Sequence, residues 1–231
     1  YAETNVRGQN ECRRAPTAYA PRLLDDAEFR PQVAFDSLIF LACSGAKARD
    51  LYYAPQHPND PIGGPPRMRA NGLFERGATQ LEQLDQRLRA DRPERGMVLL
   101  SLGGNDAGFG TIIMSCIGLG SCAPVVDRWT DELADIKPGL RAAFEDLRSI
   151  VGANVPVLVV PYPIPLAPKR CDESVLTSAE HAKLHGFVVA LNDTVAQDAT
   201  ESGIGFTVLD RAGDDDSTFQ QPFDDRPVGE S

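Results

Sequence analysis

Two short segments combine glycine with polar donors at spacings suited to holding a developing negative charge. In ACSGA, Ala42 to Ala46, a glycine follows an apolar run, so its N–H can face an oxyanion with no side chain in the way. In LSLGGNDAGF, Leu100 to Phe109, Gly103 and Gly104 permit a tight turn that carries the side-chain amide of Asn105 to the same kind of position. Gly45 and Asn105 are therefore candidate oxyanion donors. Either segment alone also reads as an ordinary turn, with Asx capping in the second.

Acyl transfer also needs a nucleophile and a base, and neither is evident. There is no GxSxG elbow, and Ser44 and Ser101, beside the candidate donors, have no base near them in sequence. Of the three histidines, His57 lies in the proline-rich QHPND and reads as a solvent-facing loop residue. His181 and His185 stand four apart in a helical pattern without a partner at HExxH spacing, which favours a helix surface or a partly buried pair over a metal site. No metal or cofactor is expected.

The elements that would position these residues alternate. Apolar runs at Leu38 to Ala42, Met97 to Leu102, Val155 to Val160 and Phe206 to Leu209 are predicted strands. Helical patterns occupy Thr17 to Ala27, Glu75 to Ala90 with Leu81, Leu84 and Leu88 on one stripe, Val125 to Ile150, and Ser178 to Ser202. Pro138 should kink or divide the third of these. Continuous apolar strands separated by helices predict an α/β layer architecture with a parallel sheet covered on both faces. In such sheets ligands bind beyond the carboxyl ends of the strands, where both candidate donors fall. The prolines and glycines between Tyr52 and Gly72 mark a long surface loop, and the Asp- and Pro-rich stretch from Gly213 to Ser231 reads as a loop or an unfinished segment.

At 231 residues and 42% hydrophobic content the chain can bury a substantial core. A formal charge of -10 without any lysine or arginine run argues against nucleic acid and anionic membranes as partners, leaving neutral or small ones. No run approaches the length of a membrane span, and the polar opening at Tyr1 is not a signal peptide, so the sequence is expected to begin inside a longer product. Of the five cysteines, Cys116 and Cys122 flank the short loop IGLGS, and none forms a CxxC or Cys/His metal spacing. Disulfides, and hence export, are favoured over zinc; buried free thiols in a cytosolic protein are the alternative.

Taken together, ACSGA, the QLEQL helix start at Gln80 to Leu84 and the strand ending in SLGGNDAGF resemble the second and third blocks of the SGNH (GDSL-like) hydrolase superfamily. CRRAPTAYAPRLL, Cys12 to Leu24, is similar to the segment after the nucleophile block in secreted actinobacterial-type esterases and lipases, so the resemblance covers nearly the whole chain. It implies one domain over residues 1–231, a flavodoxin-like three-layer sandwich, and an oxyanion hole built from Gly45 and Asn105. The family's GDS serine block and C-terminal histidine block are not matched here, and the strand bearing that serine belongs between those ending at Ala42 and Leu102. The domain is accordingly expected to be incomplete at both ends, with a flanking segment or second chain completing the sheet.

On that resemblance the chain is a carboxylic ester hydrolase, of esterase or lipase type, whose serine lies upstream and whose histidine lies downstream; the 231 residues alone should not turn over. The alternative is a non-catalytic domain of the same fold that binds or supports. Expected ligands are small-molecule or lipid esters, with acylated glycans also open, and the expected location is secreted or in the cell envelope. The resemblance further pairs Cys12 with Cys43, beside Cys116 with Cys122, leaving Cys171 for a cysteine beyond Ser231.

Overall fold

Of the four apolar runs, three become strands in the computed structural model, which describes residues 18–25, 37–51, 79–117, 121–162, 176–202 and 207–208. They are β1 (Val98–Leu100), β2 (Val157–Val159) and β3 (Thr207–Val208). β1 pairs parallel with β2, Val98 opposite Val157 and Leu100 opposite Val159, and β2 pairs parallel with β3, giving the order β1-β2-β3. Parallel neighbours need crossovers. Helices α3 (Phe109–Ile117), α4 (Ala123–Asp131) and α5 (Lys137–Val151) lie between β1 and β2 in the chain, and α6 (Ser178–Glu201) lies between β2 and β3. The expected parallel α/β architecture is therefore present.

The run Leu38 to Ala42 is the exception, because residues 37–43 form no strand and Leu38 and Ile39 are exposed. A continuous apolar run supplies side chains for a covered sheet but not the neighbouring backbone that completes a ladder. The third helical pattern is divided: a 3-10 segment, Glu132–Ile136, separates α4 from α5. Pro138 is the second residue of α5, where its missing N–H has no intrahelical partner to lose.

The described residues fall into two compact units, one within Tyr1–Met97 and Ala142–Val155, the other within Val98–Arg141 and Pro156–Ser231. The first holds α1 (Tyr19–Asp25), a 3-10 turn at Ala48–Asp50 and α2 (Gln80–Ala90). Thr79 starts α2 with a capping box: its hydroxyl accepts the Glu82 N–H at 3.2 Å while its own N–H donates to Glu82 Oε2 at 2.6 Å. Leu81 N–H, donating to the Leu51 carbonyl at 3.0 Å, ties the helix to the 3-10 turn. Of the leucine stripe, Leu81 is buried and Leu84 and Leu88 are half-buried. The buried Arg148 guanidinium donates to the carbonyls of Gly152 (2.7 Å), Ala153 (3.3 Å) and Val155 (2.9 Å), holding the segment that follows α5 against the helix end.

In the second unit α6 contributes Leu184, Phe187, Val188, Leu191 and Val195 to the core and packs against α4. Glu180 fastens its beginning. With Thr177 it forms a capping box, and its other carboxylate oxygen accepts the buried Cys122 N–H at 2.9 Å, at the start of α4. Cys122 is also disulfide-bonded to Cys116, the last described side chain of α3, and Lys183 pairs with Asp127 across α4 and α6.

Thr177 N–H, then the Thr177 hydroxyl, the Cys122 N–H and the Ser121 hydroxyl, all bonding to the ionised carboxylate, lower the Glu180 pKa from 4.5 to about 2, against the opposing pull of burial. Between these values the unfolded chain binds more protons than the folded one, so stability due to Glu180 is complete above about pH 4.5 and is lost as pH falls toward about 2. Glu180→Gln should therefore flatten the acid side of the stability profile over that window while lowering stability at pH 7. Thermal unfolding followed by circular dichroism from pH 7 to 2 checks this, and parallel wild-type and variant profiles would refute it.

Candidate functional site

β1 ends at Leu100 and delivers the chain through Ser101 and buried Leu102 into a turn of six residues before α3 begins at Phe109. Three glycines make that turn possible, each for its own reason. Gly103 has φ +103, and a Cβ there would stand 3.1 Å from Val195 Cγ2. At Gly104 a Cβ would fall 2.7 to 2.8 Å from the ring and hydroxyl atoms of Tyr162. Gly108 has φ +68, and a Cβ would overlap the Trp129 ring. The backbone closes on itself through Ala107 N–H to Gly103 carbonyl at 2.8 Å and Phe109 N–H to Gly104 carbonyl at 3.0 Å.

Asn105 sits on this turn with its side chain exposed, between buried Gly104 and buried Asp106. An exposed amide on an immobilised backbone is suited to donating to an anion, provided its base stays put. The base is held by Tyr162, which follows β2: its hydroxyl oxygen accepts the Gly104 N–H at 3.0 Å and also bonds to the Ser101 hydroxyl. Tyr162 is held in turn by Asn192 on α6, whose Oδ1 accepts the Tyr162 N–H at 2.8 Å and whose Nδ2 donates to the Tyr162 carbonyl at 2.9 Å. Phe109 stacks between the rings of Tyr162 and Phe187, with centroids 6.4 and 6.5 Å away. Burial pushes the Tyr162 pKa up, outweighing the hydrogen bonds from Gly104 and Ser101, so the phenol stays neutral at physiological pH.

Gly45 belongs to the first unit. It occupies the third position of a turn closed by Ala46 N–H to the Cys43 carbonyl at 3.1 Å, and its φ of +78 there matches a type II turn, which calls for glycine. Ser44 beside it is exposed, and buried Ala48 and Asp50 follow. Cys43 is disulfide-bonded, and its partner is outside the described residues, as are Cys12 and Cys171 of the expected pairings. The segments 52–72 and 213–231 with His57 likewise lie outside them. His181 is buried and His185 half-buried, one turn apart on α6. Among the described residues, no helix is long and apolar enough to cross a membrane.

Sequence reading missed Tyr162 and Asn192. A signal existed: Pro161-Tyr162-Pro163 follows a strand at the end where ligands bind in parallel sheets, which is where a tyrosine merits notice. Asn192 carried none beyond a polar residue among the apolar positions of α6.

A parallel sheet with a glycine-built turn at a strand's carboxyl end defines an α/β fold. Two solved structures share it. The phospholipase A1 from Streptomyces albidoflavus NA297 matches over 90% of this chain and 74% of its own, with TM-score 0.58 and 22% identity. The extracellular lipase from Streptomyces rimosus matches over 90% of this chain and 71% of its own, with TM-score 0.60 and 18% identity. No protein-family profile and no curated protein matches the sequence. The likeness to the SGNH hydrolases read from the sequence blocks holds at the level of the fold.

The steric reading of the turn is testable without any activity. Gly104→Ala should destabilise the protein by about 1 to 3 kcal/mol, because the new methyl forces the Tyr162 ring out of its packing. Urea unfolding measures it; a variant as stable as wild type would show that the ring moves aside at no cost.

Proposed function

We propose that the chain is the body of a single-domain carboxylic ester hydrolase of SGNH type, in which the Gly45 N–H and the Asn105 side-chain amide stabilise the oxyanion. The observation that carries this reading is the turn at Gly103 to Gly108, where three sterically obligatory glycines present an exposed Asn105 after a parallel strand. The serine nucleophile and the histidine base are assigned to residues outside these 231. The serine oxygen attacks the ester carbonyl carbon, its proton passes to the histidine, and the carbonyl electrons move onto oxygen, where the two donors meet the charge. Collapse expels the alcohol with the proton from histidine, and water repeats the cycle to release the acid.

Lipid esters are the preferred substrate class. The two similar structures are a phospholipase A1 and a lipase, and α3, which continues from the Asn105 turn, is uncharged throughout and leaves Met114 70% exposed. An uncharged apolar helix beside the site favours acyl chains over charged esters. Location outside the cytoplasm is supported by the Cys116–Cys122 disulfide and by the extracellular neighbour.

In the full-length protein, Asn105→Ala should lower kcat on p-nitrophenyl esters by about 10² to 10³ with KM and melting temperature little changed, the usual loss for one oxyanion donor. Activity within threefold of wild type removes Asn105 from this role. Saturable binding of a short-chain ester by the wild-type protein without turnover would favour a binding domain on the same fold.

A further inference from the structure

Four residues converge on Tyr162 in contacts that the oxyanion chemistry does not itself require. Its hydroxyl oxygen takes the Gly104 N–H at 3.0 Å, one residue before Asn105, and bonds to the Ser101 hydroxyl at the end of β1. Its backbone is gripped on both polar groups by one Asn192 side chain, at 2.8 and 2.9 Å. Its ring fills the space that a Cβ at residue 104 would need and stacks on Phe109, where the turn becomes α3.

A side-chain amide is an effective oxyanion donor only where it is held in place, since preorganisation is what makes such a donor effective. Gly104 has no side chain to fix it, and its N–H does not enter the helical bonding of the turn. Without the Tyr162 oxygen this buried N–H would have to find another partner by shifting the backbone. The same bond removes the Gly104 N–H from the set of oxyanion donors.

We propose that Tyr162, clamped by Asn192, is the positioning residue of the site: it acts through the Gly104 N–H to hold the Asn105 amide where the oxyanion forms. This rests on the ester hydrolase reading for its catalytic consequence but not for its geometry. Tyr162 touches no reacting atom in this scheme, so its effect should fall on kcat and pass through Asn105.

Tyr162→Phe in the full-length protein is the test, because phenylalanine keeps the ring over Gly104 and against Phe109 and removes only the hydroxyl. Amide hydrogen exchange followed by NMR should show Gly104 exchanging at least about tenfold faster than in wild type while the core amides of α6 are unchanged. On p-nitrophenyl esters kcat should fall about 10- to 100-fold with KM within about threefold, as a displacement of roughly an ångström would produce. Placed in the Asn105→Ala background, the same substitution should cost less than about threefold, since the group it positions is gone. Unchanged Gly104 exchange overturns the proposal. So does an equal loss of kcat in both backgrounds, which would mark Tyr162 as generally structural. Absence of ester turnover in wild type brings down the hydrolase reading instead, and the exchange result then decides the positioning by itself.

Discussion

The turn that leaves β1 keeps its form because the Tyr162 ring occupies the space over Gly104 and its oxygen takes the Gly104 N–H. That one contact joins the ends of adjacent parallel strands: Tyr162 follows β2, and Gly104 follows β1. Strand pairing brings the two segments alongside each other, but it does not dictate the path beyond the ladder. Asn192, from α6, fixes Tyr162, so sheet and helix meet at the candidate site. The consequences run outward from there, since Gly103 must pass close to Val195, and Gly108 must pass under Trp129 before α3 can start. A Cβ would collide at Gly104 and Gly108, and the positive φ at Gly103 and Gly108 favours glycine as well, which is why the segment is rich in it.

A second anchor acts at the N-terminal end of α6. Glu180 closes the capping box with Thr177 and accepts the Cys122 N–H, so the starts of α6 and α4 share one carboxylate. The disulfide from Cys122 to Cys116 ties the end of α3 to the same place. A short apolar helix such as α3 would have little to hold its far end otherwise. Here its beginning is fixed by the Phe109 stack and its end by the disulfide, leaving Met114 turned to solvent without loosening the helix. The exposed Met114 is thus carried on an element that is fixed at both ends.

Much of this was legible in the residues. The strand runs at 98–100 and 157–159 and the long helix before residue 202 follow from apolar continuity and helical spacing, and the threonine caps with glutamate three residues on are local signals. Gly103 and Gly104 announced a tight turn. Leu38 to Ala42 shows where such reading stops, because an apolar run records a preference for burial and a strand also needs a neighbour. The division expected at Pro138 falls before it, in the 3-10 segment Glu132–Ile136, and Pro138 itself sits in the first turn of α5. The support of the site was not legible for a different reason. Tyr162 and Gly104 are 58 residues apart and Tyr162 and Asn192 are 30 apart, and nothing local to either member of a pair names the other.

A backbone donor and a side-chain donor are held in place by different constraints. A backbone N–H such as that of Gly45 is directed by the chain itself, here by a turn whose φ matches type II. An asparagine amide has two further torsions, so its aim depends on how firmly its own backbone is held and on what its neighbours permit. The turn that bears Asn105 is held by Tyr162 and Asn192, from two other parts of the chain, and by Phe109 and the three glycines of its own segment. A side chain with free torsions is held in one place only through its backbone and its neighbours, and the contacts beneath the exposed Asn105 hold the backbone on either side of it through tertiary packing.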